Sequence, residues 1–205
     1  MTRTLKFATC FAWLALATGL HAADVVVPAG SEWKWLHPSD GADPAKTVAD
    51  FHTTFMKADF DDSKWNTAKD SAGPHGGFGY GEEGFTGQDI GTPDPENRKT
   101  AYFRHKFKTE KGLKDLVLKL QRDDGVIIYL DGKEVGRDNV GGGDDKYDLY
   151  AADTISAEGE TKVESVKLEG SIEPGEHILA ISLHNRPGGS TDLRIAEISL
   201  EGTAK

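Results

Sequence analysis

The chain has 205 residues, of which 28% are charged and 37% hydrophobic, and its formal net charge at pH 7 is −10. An acidic surface of this kind repels nucleic acid and anionic lipid, so we expect neither as a partner, whereas neutral glycans and cations are compatible with it. Cysteine occurs once, at Cys10, so no intrachain disulfide can hold the fold and an ordinary hydrophobic core must do so.

The N-terminus has the three parts of a secretory signal peptide. Arg3 and Lys6 precede an apolar stretch over residues 7–20, and small residues follow as far as Ala23. The apolar stretch is shorter than the roughly 20 residues that a membrane-spanning helix needs. We therefore predict a signal peptide over residues 1–23 and one mature domain over residues 24–205. The mature protein is expected to be secreted, to the periplasm or the exterior, without membrane insertion.

The first half of the mature chain is irregular. Trp33 and Trp35 share one face of a short opening strand and are expected in the core. Apolar residues over 48–55 have helical spacing, but the threonines between them predict a weak helix. Residues 71–99 are rich in glycine and proline and are expected to form a long loop, a feature that is usually functional or disordered.

After residue 100, apolar residues alternate with a period of two, which is typical of half-buried strands. Residues 101–107, 116–120 and 179–183 follow this pattern, whereas residues 126–130 are apolar on both faces and predict a covered central strand. Asp131 and Gly132 predict a two-residue hairpin. A last strand loses its alternation near Ala196, which indicates a bulge. Many short strands between turns predict an all-β fold, an antiparallel β-sandwich.

Five stretches together resemble a known family: FDDSKW, PHGGFGYG, AYFRHKF, VIIYLDGKEV and IEPGEHILAISLHN, in this order from residue 60 to residue 185. They resemble the galactose-binding-domain-like jelly roll, as in the sugar-binding domain of family 2 glycoside hydrolases, and more closely related modules of secreted planctomycete-type bacterial proteins. The resemblance implies a β jelly roll that binds carbohydrate. In the hydrolases a catalytic barrel follows the jelly roll, whereas this chain ends after its last predicted strand. Hydrolase activity is therefore not expected to carry over.

The segment RDDG, residues 122–125, also resembles the Asp-Asp motif of protective-antigen-type lectin domains. That resemblance implies a cis peptide between Asp123 and Asp124, which would bind Ca²⁺ and through it a sugar. The predicted hairpins bring further polar residues to the same rim of the sandwich: Asp138, Asn139, Asp144, Asp145, His184, Asn185, Arg186 and Asp192.

Three interpretations of the paired aspartates are open at this point. They can be structural, capping their own turn and pairing with nearby arginines. They can be calcium ligands, since Ca²⁺ prefers clustered carboxylate and carbonyl oxygens. As a glycosidase pair they would have to flank a cleft about 5–9 Å wide, which adjacent residues on a turn do not form.

A second candidate ligand site is aromatic. Phe78, Tyr80 and Phe85 lie in the glycine-rich segment, and exposed rings beside polar groups hold sugars by contact with the C–H face. We take these three residues, with His184, Asn185 and Arg186, as candidate ligand-binding residues. The alternative is that the rings only pack against one edge of the sandwich.

No catalytic residues are predicted, because the sequence contains neither HExxH nor GxSxG. The expected function is that of a secreted, non-catalytic binding module for carbohydrate or a cell-surface glycan, with Ca²⁺ as the possible cofactor. The alternatives are a structural or adhesive cell-surface module with calcium-stiffened loops and, third, a hydrolase.

Overall fold

The computed structural model describes residues 22–155, 157–188 and 190–205. The predicted signal peptide therefore lies almost wholly outside the described residues. Within those ranges, no helix is long and apolar enough to cross a membrane.

Two six-stranded sheets make up the described part of the chain, and they confirm the predicted all-β sandwich. The first sheet has the order β10 (Glu164–Lys167), β7 (Leu113–Asp123), β12 (Leu193–Ala204), β4 (Phe78–Tyr80) and β5 (Gln88–Asp89), with β1 (Asp24–Val27) also paired to β12. The second sheet has the order β3 (Asn66–Lys69), β2 (Glu32–Leu36), β6 (Thr100–Thr109), β11 (Gly175–His184), β8 (Gly125–Leu130) and β9 (Lys133–Asp138). All pairings are antiparallel except that of β4 with β5.

The main core lies between the sheets, and a second core covers the outer face of the second sheet. Every residue of β8 is buried, because Val126, Ile128 and Leu130 belong to the main core while Ile127 and Tyr129 belong to the second. This is why residues 126–130 are apolar on both faces. Trp33 is fully buried in the main core and Trp35 packs against it, as predicted.

Helices are short, and the first of them covers the second sheet. The predicted weak helix is a single turn, α1 (Phe51–Thr54), which puts Phe51 into the second core and leaves Val48 exposed. Thr54 Oγ1 donates to the Asp50 carbonyl at 2.9 Å, so it competes with the backbone for hydrogen bonds. A second turn, α2, spans Ala157–Glu160, and 3₁₀ turns span Pro44–Lys46 and Pro95–Asn97.

Two features predicted from the sequence, a hairpin turn and a bulge, are present in the structure and help to set the register of the strands. Asp131 and Gly132 both have positive φ, 51° and 84°, and form the tight turn between β8 and β9. The register of β12 shifts between Ala196 and Ser199, which confirms the bulge. The bulge is held by Asp70, whose carboxylate accepts from the N–H groups of Glu197 at 3.1 Å and Ile198 at 2.7 Å.

Candidate functional site

Four strand ends meet at one rim of the sandwich. β7 ends at Asp123 and β8 begins at Gly125, which lies opposite His184 at the end of β11. Val126 lies opposite Asp138, the end of β9. The hairpin geometry inferred from the sequence therefore places these residues correctly.

Asp124 joins two loops of this rim. Its Oδ1 accepts from the Ile155 N–H and its Oδ2 from the Arg186 N–H, both at 2.9 Å. Its carbonyl oxygen accepts from Asn139 Nδ2 at 3.2 Å. The peptide bond between Asp123 and Asp124 is cis, the conformation that the lectin resemblance implies. With both carboxylate oxygens occupied by backbone donors, Asp124 orders the loops that follow Ile155 and His184.

Asp123 faces a different set of partners. Its carboxylate lies with those of Glu160 and Asp192, and one oxygen of each is within 4.8 Å of the others. We call these three residues the carboxylate rim. Asp123 is 4% exposed, and Glu160 and Asp192 are half-buried. Glu160 sits on α2 and Asp192 on the loop after β11, so Asp124 orders both segments that bring them to Asp123.

No ion pair neutralises the carboxylate rim within the described ranges. Two nearby guanidinium groups are engaged elsewhere, Arg122 with Asp138 and Arg194 with Glu82. Arg194 instead donates to the Glu160 carbonyl at 2.6 Å, which positions α2. Burial, and then the charges of Asp124 and Asp192, raise the pKa of Asp123 well above its ordinary value. Burial and Asp192 likewise raise the pKa of Glu160.

The carboxylate rim fits a calcium ion. Ca²⁺ binds oxygen atoms at about 2.3–2.6 Å, so two of its ligands lie at most about 5 Å apart. The 4.8 Å limit on the spread of the three ligand oxygens meets this condition. Buried carboxylates without a cationic partner are the arrangement that a bound divalent ion stabilises.

His184, a predicted ligand-binding residue, is fully buried and belongs to an internal network instead. Its Nδ1 donates to the Leu149 carbonyl at 2.8 Å, and its Nε2 accepts from Ser182 Oγ at 2.9 Å. Asp145 Oδ1 lies 3.4 Å from Nε2, and Asp145 Oδ2 accepts from the Tyr129 hydroxyl at 2.9 Å. We call His184, Ser182, Asp145 and Tyr129 the His184 network.

The His184 network contains serine, histidine and aspartate but lacks the geometry of a nucleophilic triad. In a triad the aspartate orients one ring nitrogen and the serine meets the other. Here Ser182 and Asp145 both face Nε2, and Ser182 and His184 are fully buried. A substrate cannot reach the serine hydroxyl, so the network is an internal structural element.

Of the two interpretations of the aromatic segment, packing holds for Phe78 and Tyr80, which are buried in the main core and cannot contact a ligand, whereas Phe85 is half-buried. Tyr80 accepts from Asn185 Nδ2 at 3.1 Å, so Asn185, also fully buried, is an internal hydrogen-bonding residue. Arg186 remains half-buried at the rim.

The glycines around these rings allow close backbone packing. A Cβ on Gly77 would lie 2.1 Å from the Ile195 carbonyl oxygen, and one on Gly79 would lie 2.4 Å from that of Leu193. β4 can therefore pack tightly against β12 only because these positions lack side chains. Residues 71–99 were predicted as one long loop, but Phe78–Tyr80 and Gln88–Asp89 within them form strands of the first sheet, while most of the remainder is irregular.

Sequence reasoning missed Glu160. Asp123 and Asp192 follow from strand ends, but Glu160 reaches them through the irregular path of residues 139–160. The sequence shows only two acidic residues near Gly159, which is no specific signal.

Comparisons with known proteins identify glycosidases as structural neighbours. No protein-family model and no curated protein sequence matches the chain. Among solved structures, the chain is similar to an uncultured Clostridium sp. β-glucuronidase (15% identity, TM-score 0.46, covering 95% of this chain and 31% of that one). It is also similar to Bacteroides uniformis β-glucuronidase 2 (16%, 0.43, 89% and 18%). A third is a GH2 β-galacturonidase from Eisenbergiella tayi (11%, 0.41, 91% and 26%).

Of these three glycosidases, the Eisenbergiella tayi enzyme is a GH2 protein, and GH2 is the hydrolase family named in the sequence resemblance. The chain spans less than a third of the length of each of the three.

Proposed function

We propose that the chain is a secreted, non-catalytic carbohydrate-binding module whose carboxylate rim holds calcium. The observation that carries the proposal is the position of Asp123, a buried carboxylate beside two others with no cationic partner among the described residues. A site of this kind stabilises the fold only when an external cation or protons offset the crowded charge.

Asp123, Glu160 and Asp192 are the residues that would hold the ion, and Asp124 is a positioning residue. Calcium accepts six to eight oxygen ligands, so an ion held by three carboxylates retains coordination positions for hydroxyl oxygens. Vicinal hydroxyls of a sugar are ligands of this type. Arg186, half-buried on the loop that carries Asp192, is the nearby donor for further sugar oxygens.

The second candidate is a structural or adhesive module in which calcium only stiffens the loops. It is favoured by the two hydrogen bonds through which Asp124 joins the segments that carry Glu160 and Asp192. The two candidates share the ion and differ in whether a glycan completes its coordination.

The experiment is a glycan array with the mature protein, in calcium and in chelator, beside calorimetric titration with CaCl₂. The proposal expects one calcium ion per chain and glycan binding that the chelator abolishes. Asp123→Asn/Asp192→Asn should lose both, whereas exposed Asp148→Asn should lose neither. Calcium binding with no glycan bound supports the adhesive module. Absence of calcium binding overturns the assignment of the carboxylate rim.

A further inference from the structure

A cavity of about 530 Å³ lies beside the second sheet, apart from the carboxylate rim. It is lined by the loop that follows β2, by α1 and by the segment that leads into β3, and it shares no residue with the carboxylate rim. We call it the Trp65 groove. Its principal side chains are Trp65, Phe60, Asp40, Asp43, Asp61 and Lys64.

The aromatic wall of the Trp65 groove packs against the second core. The Trp65 ring contacts Phe60 at a centroid distance of 5.8 Å and Phe51 at 6.3 Å, and Phe51 itself is anchored in the second core. Trp65 and Phe60 are nevertheless half-buried, so both retain exposed ring surface. A fixed indole with an exposed part is suited to contact the apolar C–H face of a pyranose at little entropic cost.

Three carboxylates surround this aromatic wall. Each is oriented through its Oδ1: Asp40 accepts from the Ala42 N–H at 3.0 Å, Asp43 from the Ala45 N–H at 2.8 Å, and Asp61 from the Ser63 N–H at 3.0 Å. Asp43 Oδ1 also meets His52 Nε2 at 2.8 Å. The Oδ2 atoms of Asp40 and Asp43 have no hydrogen-bond partner in the described part of the chain, so two oriented acceptors are available to a ligand, and the exposed Asp61 carboxylate lies beside them.

The charge of the Trp65 groove restricts the ligand. Lys64 is the single lysine or arginine among the described lining residues, against three aspartates. A ligand with hydroxyl or ammonium donors gains hydrogen bonds there, whereas a ligand carboxylate meets like charge.

We propose that the Trp65 groove is a second saccharide site, specific for neutral or amino sugars and against uronic acids. The proposal rests on the proposed carbohydrate-binding function but not on calcium. The indole contacts one face of a sugar ring, and the aspartates accept from its hydroxyl or ammonium groups.

The test uses three tetrasaccharides of different charge: cellotetraose, fully deacetylated chitotetraose and tetragalacturonate. Binding is followed by calorimetry and by indole fluorescence in the presence of chelator, so that the carboxylate rim cannot contribute. We expect cellotetraose and chitotetraose to bind, and tetragalacturonate to bind at least about tenfold more weakly, a difference of about 1.4 kcal/mol.

Variants localise the effect. Trp65→Ala should weaken binding about tenfold or more. Because Trp65 also packs against the second core, the exposed pair Asp40→Asn/Asp61→Asn provides a variant with the fold intact, and it should reduce the discrimination against tetragalacturonate. Asp59→Asn, exposed and outside the groove, is the matched control and should change nothing.

Two outcomes would overturn the proposal that the Trp65 groove binds saccharides. One is that no tetrasaccharide binds in chelator while calcium restores glycan binding, which leaves the proposed function intact. The other is binding that is unaffected by Trp65→Ala and by the aspartate pair. If glycans bind only in the Trp65 groove and no calcium binds, the assignment of the carboxylate rim as a calcium site is wrong, and the assignment of the Trp65 groove as a saccharide site is supported.

Discussion

The His184 network and the carboxylate rim are both buried polar clusters beneath loops at the same end of the sandwich, yet they differ in how their charges are balanced. In the His184 network each hydrogen bond joins a donor to an acceptor that the chain itself supplies, such as Tyr129 to Asp145 and His184 to Leu149. In the carboxylate rim three groups of the same charge face one another, and no cation pairs with them among the described residues.

This difference indicates that the His184 network is structural, whereas the carboxylate rim is suited to bind a cation. Burial of polar groups is tolerated when the partners satisfy one another, and it costs several kcal/mol when they do not. The folded chain alone therefore satisfies most of the His184 network, and of its named atoms Asp145 Oδ1 has no hydrogen-bond partner among the described residues. The carboxylate rim becomes complete only with a cation or with protons, which is why it supports a calcium site.

The largest expected loss of stability comes from a substitution in the His184 network. His184→Ala leaves a cavity and removes the partners of Ser182 and Leu149, so it should lower the free energy of unfolding by at least about 3 kcal/mol. Urea denaturation measures the loss, which should be the same in calcium and in chelator. His75→Ala, at an exposed loop position, is the control. A loss below about 1 kcal/mol would contradict the structural role of the network.

The second effect concerns the residue that links the two loops of the rim. Asp124→Asn replaces one of two acceptor oxygens with an NH₂ group facing a backbone N–H. We expect a loss of about 1–3 kcal/mol of stability. Calcium affinity should also fall, because the segments that carry Glu160 and Asp192 lose their common anchor. Calorimetry and urea denaturation on one preparation measure both. Unchanged calcium affinity would show that Asp124 does not position the site.

The main strands after residue 100, and the strand ends that meet at one end of the sandwich, could be predicted from the sequence because their signals are local. Alternation over residues 101–107 and 179–183 predicted β6 and β11 as half-buried strands, since one face of each must enter the core. Both strands are present, but their other face is covered as well, because Tyr102 and Ala180 lie in the second core. The Asp131–Gly132 turn then fixed which strand ends meet, and so brought Asp123, Asp138 and His184 to one rim.

The burial of side chains at the rim could not be predicted in the same way. His184 is polar and ends a strand, which suggests exposure, but residues 140–151 fold over the second sheet and cover it. Tyr80 and Phe78 lie in a segment whose glycines favour turns and close packing equally. Only the neighbouring strand β12 decides between the two, and it is distant in sequence.

The third effect is a pH dependence of the free energy of unfolding that comes from His184. Burial lowers the pKa of His184 below its ordinary value of 6.5, although Asp145 opposes the shift and Arg137 and His52 add to it. The folded chain therefore resists a proton that the unfolded chain accepts, so stability present above pH 6.5 is lost as pH falls. Each such group contributes at most about 1.4 kcal/mol per pH unit.

Urea denaturation between pH 7.5 and pH 5 measures this slope, and a variant separates His184 from other histidines. Burial also lowers the pKa of His37 and His105, and it raises the pKa of Asp70 to about 6, which gives a slope of opposite sign, so the wild-type slope has more than one source. His184→Gln, whose amide can still donate to the Leu149 carbonyl, should show a shallower slope. Equal slopes in variant and wild type would mean that His184 accepts its proton in the folded state.

The smallest effect on stability is expected from Asp123→Asn. This substitution is also the most direct test of the difference between the His184 network and the carboxylate rim. In chelator the substitution replaces a buried carboxyl, whose pKa is raised well above its ordinary value, with a neutral amide of the same shape, so stability should stay level or rise by about 1 kcal/mol. In calcium the wild type should gain stability according to the occupancy of the site, and the variant should gain little or nothing. The two proteins should therefore change order between the two buffers in thermal melts, with exposed Asp148→Asn following the wild type throughout. This reversal separates a ligand site from a structural cluster, because a residue of the His184 network loses stability in both buffers. If Asp123→Asn loses stability equally in chelator and in calcium, Asp123 has a structural role that does not depend on calcium. The carboxylate rim and the His184 network would then not differ in their need for a cation.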